Sequence, residues 1–157
     1  MGDIYDAESY EPRKGVGHLL HRVRSEMLAC VDRELAEDEV LGPMEVSSAQ
    51  FIILATLTMG NVKSASDLCK GMSYDAGAMT RMIDRLEEKG LIRRSRCPED
   101  RRLVNLELTE KGLEAMPRMR ACSMRVLNRF LQGFTKAEAR QLESFLTRML
   151  DNTPRTG

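Results

Sequence analysis

Tryptophan is absent, and aromatic residues make up only 4% of the 157 positions. The core must therefore be filled by Leu, Ile, Val, Ala and the 11 methionines, a mixture that favours helices. Long apolar runs are missing as well. The longest, Phe51 to Ala55, is far too short to cross a bilayer, so no membrane partner is expected. The four cysteines (30, 69, 97 and 122) form no CxxC pair, and His18 and His21 lie far from all of them, so a zinc site of ordinary spacing is not expected. There is no glycine-rich phosphate loop and no nucleophile elbow, so neither an enzymatic activity nor a cofactor is expected. Asp3, Asp6, Glu8 and Glu11 stand ahead of any basic residue, which is not the pattern of a signal or transit peptide. The cytoplasm is the expected compartment, with the thiols reduced.

A net charge of zero, 24 basic residues against 24 acidic, hides a segregation. Asp32 to Glu45 contains six acids and one base, whereas Arg81 to Arg102 contains eight bases and five acids. Local excess of one sign in a neutral chain points to an anionic partner at one place.

Leu20, Val23, Met27, Val31 and Leu35 recur at helical spacing and predict a helix over 17–36. The acidic stretch Glu37 to Glu39 and Gly42-Pro43 then break the pattern. Ser47 and Gln50 form a capping box ahead of a nearly all-apolar helix with Phe51, Ile52, Ile53, Leu54 and Leu57, which should be buried. A short helix from Ser64 to Lys70 follows, with Gly71 as its stop. Another runs from Asp75 to Lys89, with Gly90 as the C-terminal glycine. Its apolar face is Met79, Met82, Ile83 and Leu86. The period then changes from helical to alternating. Leu91 to Arg96 and Leu103 to Leu108 read as two strands around a charged hairpin tip, Cys97 to Arg102. Thr109 caps a helix extending to about Gln132 and kinked at Pro117, unless the helix starts only near Pro117. Thr135 and Glu138 form a second capping box for a last helix, with Leu142, Phe145, Leu146, Met149 and Leu150 on one face. The tail from Asp151 is expected to fray.

Three short helices followed by a hairpin make a winged helix-turn-helix, within a mainly α chain. Its second turn-helix must lie in the major groove, so it needs small outer residues and long donors. Ala76, Gly77 and Ala78 offer no bulk, and Arg81 and Arg85 sit one turn apart on the exposed side. Arg101 and Arg102 at the hairpin tip can reach phosphates or a narrow minor groove. The expected organisation is an arm (1–16), a first helix and linker (17–46), a DNA-binding lobe (47–108), C-terminal helices (109–150) and a tail (151–157). The apolar stripes of the outer helices need each other or a second copy to be covered.

Met79 to Arg94, then Pro98-Glu99-Asp100-Arg101-Arg102, then Leu108-Thr109-Glu110-Lys111-Gly112 together resemble the signature of the MarR family of bacterial transcriptional regulators. Each piece is short, but their order and spacing are specific. The resemblance implies that Arg102 enters the minor groove and that Asp100 holds it by a charge-assisted hydrogen bond. It implies that Asp75, Ala76, Gly77, Ala78, Arg81 and Arg85 read the major groove, with Asp84 orienting a neighbouring arginine. Arg94 and Arg96 are further candidates for DNA contact, at phosphates, unless they only solvate the strand. The resemblance further implies a homodimer, with the first helix and linker (17–46) and the C-terminal helices (109–150) as its dimerisation segments, spanning a pseudo-palindrome of double-stranded DNA and nucleoid-associated when bound. Such a protein acts as a repressor released by a small ligand or by oxidation. A small aromatic acid or phenol would sit in a crevice near the first helix, where His18, His21, Arg22 and Arg24 are the candidate polar groups. The bland alternative for each is a place on the surface or the dimer interface. In the redox alternative, Cys30 or Cys97 is the sensor. A reading from another class, a winged helix that binds only protein, would show no steep salt dependence on duplex DNA.

Overall fold

A computed structural model describes residues 3–6, 8, 10–60, 62–72, 74–96 and 104–153. In chain order the elements are α1 (Val16–Glu37), a short 3-10 turn (Gly42–Met44), α2 (Ser48–Thr58), α3 (Ala65–Met72), α4 (Ala76–Glu88), β1 (Ile92–Arg96), β2 (Val104–Leu108), α5 (Glu110–Phe130) and α6 (Lys136–Asp151). The fold is therefore mainly helical with one two-stranded antiparallel hairpin, as the periodicities predict. Two compact units divide the chain, Met1–Val126 and Leu127–Gly157.

Capping places the helices. Ser47 Oγ accepts from Gln50 N, while Gln50 Oε1 accepts from Ser47 N, each at 3.2 Å. Asp32 on α1 adds a long-range cap: its Oδ1 accepts from Ser48 N at 2.5 Å, tying α1 to the start of α2. These contacts satisfy N–H groups that the first turn of a helix leaves without partners. Ser64 Oγ accepts from Asp67 N and starts α3. Gly71 does not stop that helix, which continues to Met72; a glycine weakens a helix interior but need not end it. Gly90, at φ +69°, turns the chain after α4 into β1.

The core of the first unit gathers Val31 and Leu35 from α1, Ile53 and Leu54 from α2, Leu68 from α3, and Met79, Ile83 and Leu86 from α4. Leu91, Ile92 and Leu106 from the hairpin and Met116, Met119, Cys122 and Val126 from α5 complete it. The strands pair with Ile92 opposite Leu108 and Arg94 opposite Leu106. Leu106 N also donates to Lys63 O at 2.7 Å, which fastens the hairpin to the segment before α3.

Pro117 lies inside α5, which is a single helix from Glu110 and does not start at the proline. The stripe on α1 is divided. Val31 and Leu35 are buried, but Val16, Leu19, Leu20 and Val23 remain exposed on the N-terminal half. α6 shows the same pattern along its length: Leu142, Phe145, Met149 and Leu150 are all exposed. Asp151 closes α6 in regular helix, with no fraying at that position.

Candidate nucleic-acid interface

The helix-turn-helix is α3 and α4, and the outer face of α4 is its candidate reading surface. Asp75 is the N-cap residue: its Oδ1 accepts from Ala78 N at 2.8 Å, so this carboxylate completes the backbone of the helix. Ala76 and Gly77 are exposed, Ala78 is half-buried, and Arg81 and Arg85 are exposed. The Arg81 side chain leans back toward the helix N-terminus. A Cβ added at Gly77 would stand 3.4 Å from Arg81 Nη1 and 3.2 Å from Asp75 Oδ1. The missing side chain at Gly77 thus leaves the space over which the guanidinium lies. Arg85 lines a cleft of about 340 Å³ with Glu45, Ser47, Gln50, Met82 and Lys89.

The three arginines of β1 have different surroundings, which alternation along a strand brings about. Arg93 points to one face and meets Glu107 directly across the ladder, with Nη2 to Oε2 at 2.8 Å. Arg93, and then Ser95, hold the Glu107 carboxyl below its ordinary pKa. Arg94 points to the other face. Its Nη2 donates to Asp84 Oδ1 at 2.6 Å, and its Nη1 donates to Glu87 Oε2. The hydrogen bond to Asp84, and after it that to Glu87, raise the Arg94 pKa despite partial burial. The arginine that Asp84 meets is therefore Arg94. Arg96, at the end of β1, is exposed. Cys97, Asp100, Arg101 and Arg102 lie outside the described residues.

The ligand candidates fall together on the N-terminal half of α1. His18 is half-buried, and His21, Arg22 and Arg24 are exposed, among the uncovered Val16, Leu19, Leu20 and Val23. Cys30, further along α1, is half-buried, and Arg33 Nη2 donates to its Sγ at 3.1 Å.

Several supporting residues carry no local signal that picks them out. Lys89 Nζ donates to Met44 O at 2.9 Å and Glu45 O at 2.6 Å, fixing the C-terminal end of α4 to the linker before α2. Lys111 Nζ donates to Lys89 O, and Thr109 Oγ1 to Gly90 O, which tie the same end to the start of α5. Glu87 is the one with a usable clue, since it stands one turn after Asp84 and shares its side of the helix.

The sequence model of the MarR family matches residues 46–104. The chain is 37% identical over 97 residues to the multiple antibiotic resistance protein MarR of Escherichia coli. That alignment takes in 62% of this chain and 63% of that protein, just under two thirds of its length. It is 25% identical over 152 residues to the HTH-type transcriptional repressor NicR of Pseudomonas putida, spanning 97% of this chain and 92% of that one. Three solved structures are similar over most of the chain. BpsR of Bordetella bronchiseptica, whose DNA binding is regulated by 6-hydroxynicotinic acid, has a TM-score of 0.75 at 26% identity and covers 92% of this chain and 99% of its own. A mutant MarR from E. coli complexed with operator DNA has a TM-score of 0.73 at 28% identity, covering 86% and 93%. The reduced form of E. coli MarR has a TM-score of 0.68 at 31% identity, covering 87% of this chain and 96% of that one. With the described signature residues on a winged helix-turn-helix and a relative of this identity matched along nearly its whole length, the chain belongs to the MarR family of transcriptional regulators.

Proposed function

We propose that this chain is a homodimeric repressor that binds a pseudo-palindromic double-stranded operator and is released by a small aromatic carboxylate or phenol. One observation carries the DNA-binding part: α4 presents a bare N-terminal surface, Ala76 and Gly77, with exposed Arg81 and Arg85 directly behind it. The complex of an E. coli relative with operator DNA supports the same use of the fold. The exposed apolar stripes on α1 and α6 support a second copy as their cover. The effector class draws support from BpsR, since 6-hydroxynicotinic acid is an aromatic carboxylic acid. His18, His21, Arg22 and Arg24 are the groups assigned to its carboxylate or hydroxyl. No described helix is long and apolar enough to cross a membrane.

The test is selection of duplexes from a random pool by the purified chain, followed by titrations at stepped salt concentration. Enrichment of a two-fold motif and a steep salt slope support the reading. No enrichment with salt-independent behaviour would leave a protein-only module. Titration with 6-hydroxynicotinic acid and other aromatic acids then tests release. A peroxide arm with later reductant tests thiol sensing at Cys30 or Cys97, a second reading that the Arg33 contact to Cys30 favours.

Two substitutions probe the interface. Arg102→Ala is expected to weaken binding to the selected duplex at least tenfold with the thermal unfolding curve unmoved. Near-parental affinity in that folded variant removes the wing tip from the interface. Arg81→Ala is expected to lower discrimination at one base position by roughly 10- to 100-fold, the worth of a good side-chain-to-base contact, while the salt slope shifts by less than about one. An unchanged motif on reselection counts against base reading by Arg81.

A further inference from the structure

We infer that Arg94 is a positioning residue that clasps the wing strand to the recognition helix and makes no phosphate contact of its own. The inference rests on the DNA-binding reading above and deepens it. Strand alternation places Arg94 on the same side of β1 as buried Ile92, facing α4. Residue 94 is gripped three times there. Its Nη2 donates to Asp84 Oδ1 at 2.6 Å, its Nη1 donates to Glu87 Oε2, and its backbone N donates to Glu87 Oε1 at 3.3 Å. Asp84 and Glu87 lie one turn apart on α4, so the planar guanidinium bridges two points of one helix. A fork held at both tines resists rotation about the helix axis, whereas a single ammonium contact would not.

Charge points the same way. One guanidinium against two carboxylates leaves this cluster net negative, which repels a phosphate. Arg94 is also the more sheltered of the two paired arginines of β1, with a side chain 34% exposed against 68% for Arg93. The backbone link between the two DNA-facing elements is a short turn through Gly90, at φ +69°. The clasp spans that turn and, beside the Leu106 N to Lys63 O bond that holds the other strand, fixes β1 against α4, so that both elements reach the duplex in one geometry.

The experiment uses the full chain and a duplex that the parent protein has selected from a random pool. Asp84→Asn/Glu87→Gln removes two negative charges beside the DNA. If Arg94 were an ordinary phosphate ligand, this change would strengthen binding to any duplex. Positioning instead requires at least a tenfold loss of affinity for the selected duplex, with affinity for an unselected duplex unchanged or raised. Selected-site affinity that holds or improves overturns the inference and leaves the DNA-binding reading intact. Arg94→Lys gives a second readout in a variant that keeps the charge and loses the fork. The expected result is weaker binding to the selected duplex at an unchanged salt slope. Parental affinity in this variant, or a slope lower by about one in Arg94→Gln, makes Arg94 a phosphate contact and overturns the proposal. Failure of the parent chain to select any duplex removes the DNA-binding reading, and the proposal with it.

Discussion

Gly112→Ala lowers folding stability by about 3 kcal/mol, the largest loss expected from a Gly→Ala change among the described glycines. A Cβ at residue 112 would stand 2.2 Å from Leu91 O and 3.1 Å from Leu91 C, far inside contact distance and against backbone. Relief would require the first turn of α5 to move away from the α4–β1 turn. Three bonds oppose that movement: Thr109 N to Leu91 O at 3.1 Å, Thr109 Oγ1 to Gly90 O at 2.6 Å, and Lys111 Nζ to Lys89 O at 2.7 Å. Alanine gains up to about 1 kcal/mol in helix propensity over glycine, and the clash outweighs it. Gly77→Ala is the control. There the nearest atoms are the ends of two flexible side chains at 3.2 and 3.4 Å, so the same substitution should leave stability within about 0.5 kcal/mol or raise it. Chemical denaturation at one protomer concentration measures both. A Gly112→Ala midpoint equal to that of the parent would mean that α5 does not pack this closely on Leu91.

Phe145→Glu separates the proposed dimer. Phe145 is 46% exposed in the single chain, on one face of α6 with Leu142, Met149 and Leu150. The Arg148 guanidinium stands 5.4 Å from its ring centroid. Burying such a ring contributes about 2 kcal/mol, and a two-fold interface contains it twice. The dissociation constant should therefore rise about a thousandfold, and more if the carboxylates stay buried without partners. Sedimentation over a range of concentrations reads the shift, and circular dichroism checks that the Thr135–Glu138 capping box still supports α6. A dimer within tenfold of the parental constant would place this face outside the interface. Since the operator is proposed to be two-fold, the same variant should also lose duplex affinity at concentrations where it is monomeric.

The contrast between Arg81 and Arg94 shows where reading residues in order stops being informative. Both are arginines in the same basic stretch, and both belong to the resemblance. The structure leaves Arg81 exposed on the outer face of α4 and places Arg94 between Asp84 and Glu87. The difference comes from β1 lying against α4, a juxtaposition across the Gly90 turn that spacing does not express. The split stripe of α1 is similar. Leu20 and Val23 recur with Val31 and Leu35 at helical spacing, yet only the last two are buried. Periodicity names the face that wants cover and leaves open what covers it.

The amino-acid order by itself determined the helices and strands, the caps and the class of fold. Ser47 with Gln50 and Thr135 with Glu138 act over three residues, and apolar repeats act over three or four, so their effect is fixed before any packing occurs. Only the tertiary structure decided which charges pair, which carbonyls the lysines bind and why residue 112 carries no side chain. Arg118 finds Asp38 and Arg125 finds Glu34 across 80 and 91 positions of chain, and Lys89 reaches back to residues 44 and 45. Such partners are selected by the meeting of whole elements, whose geometry depends on the burial of Leu, Ile and Met from five helices and a hairpin at once.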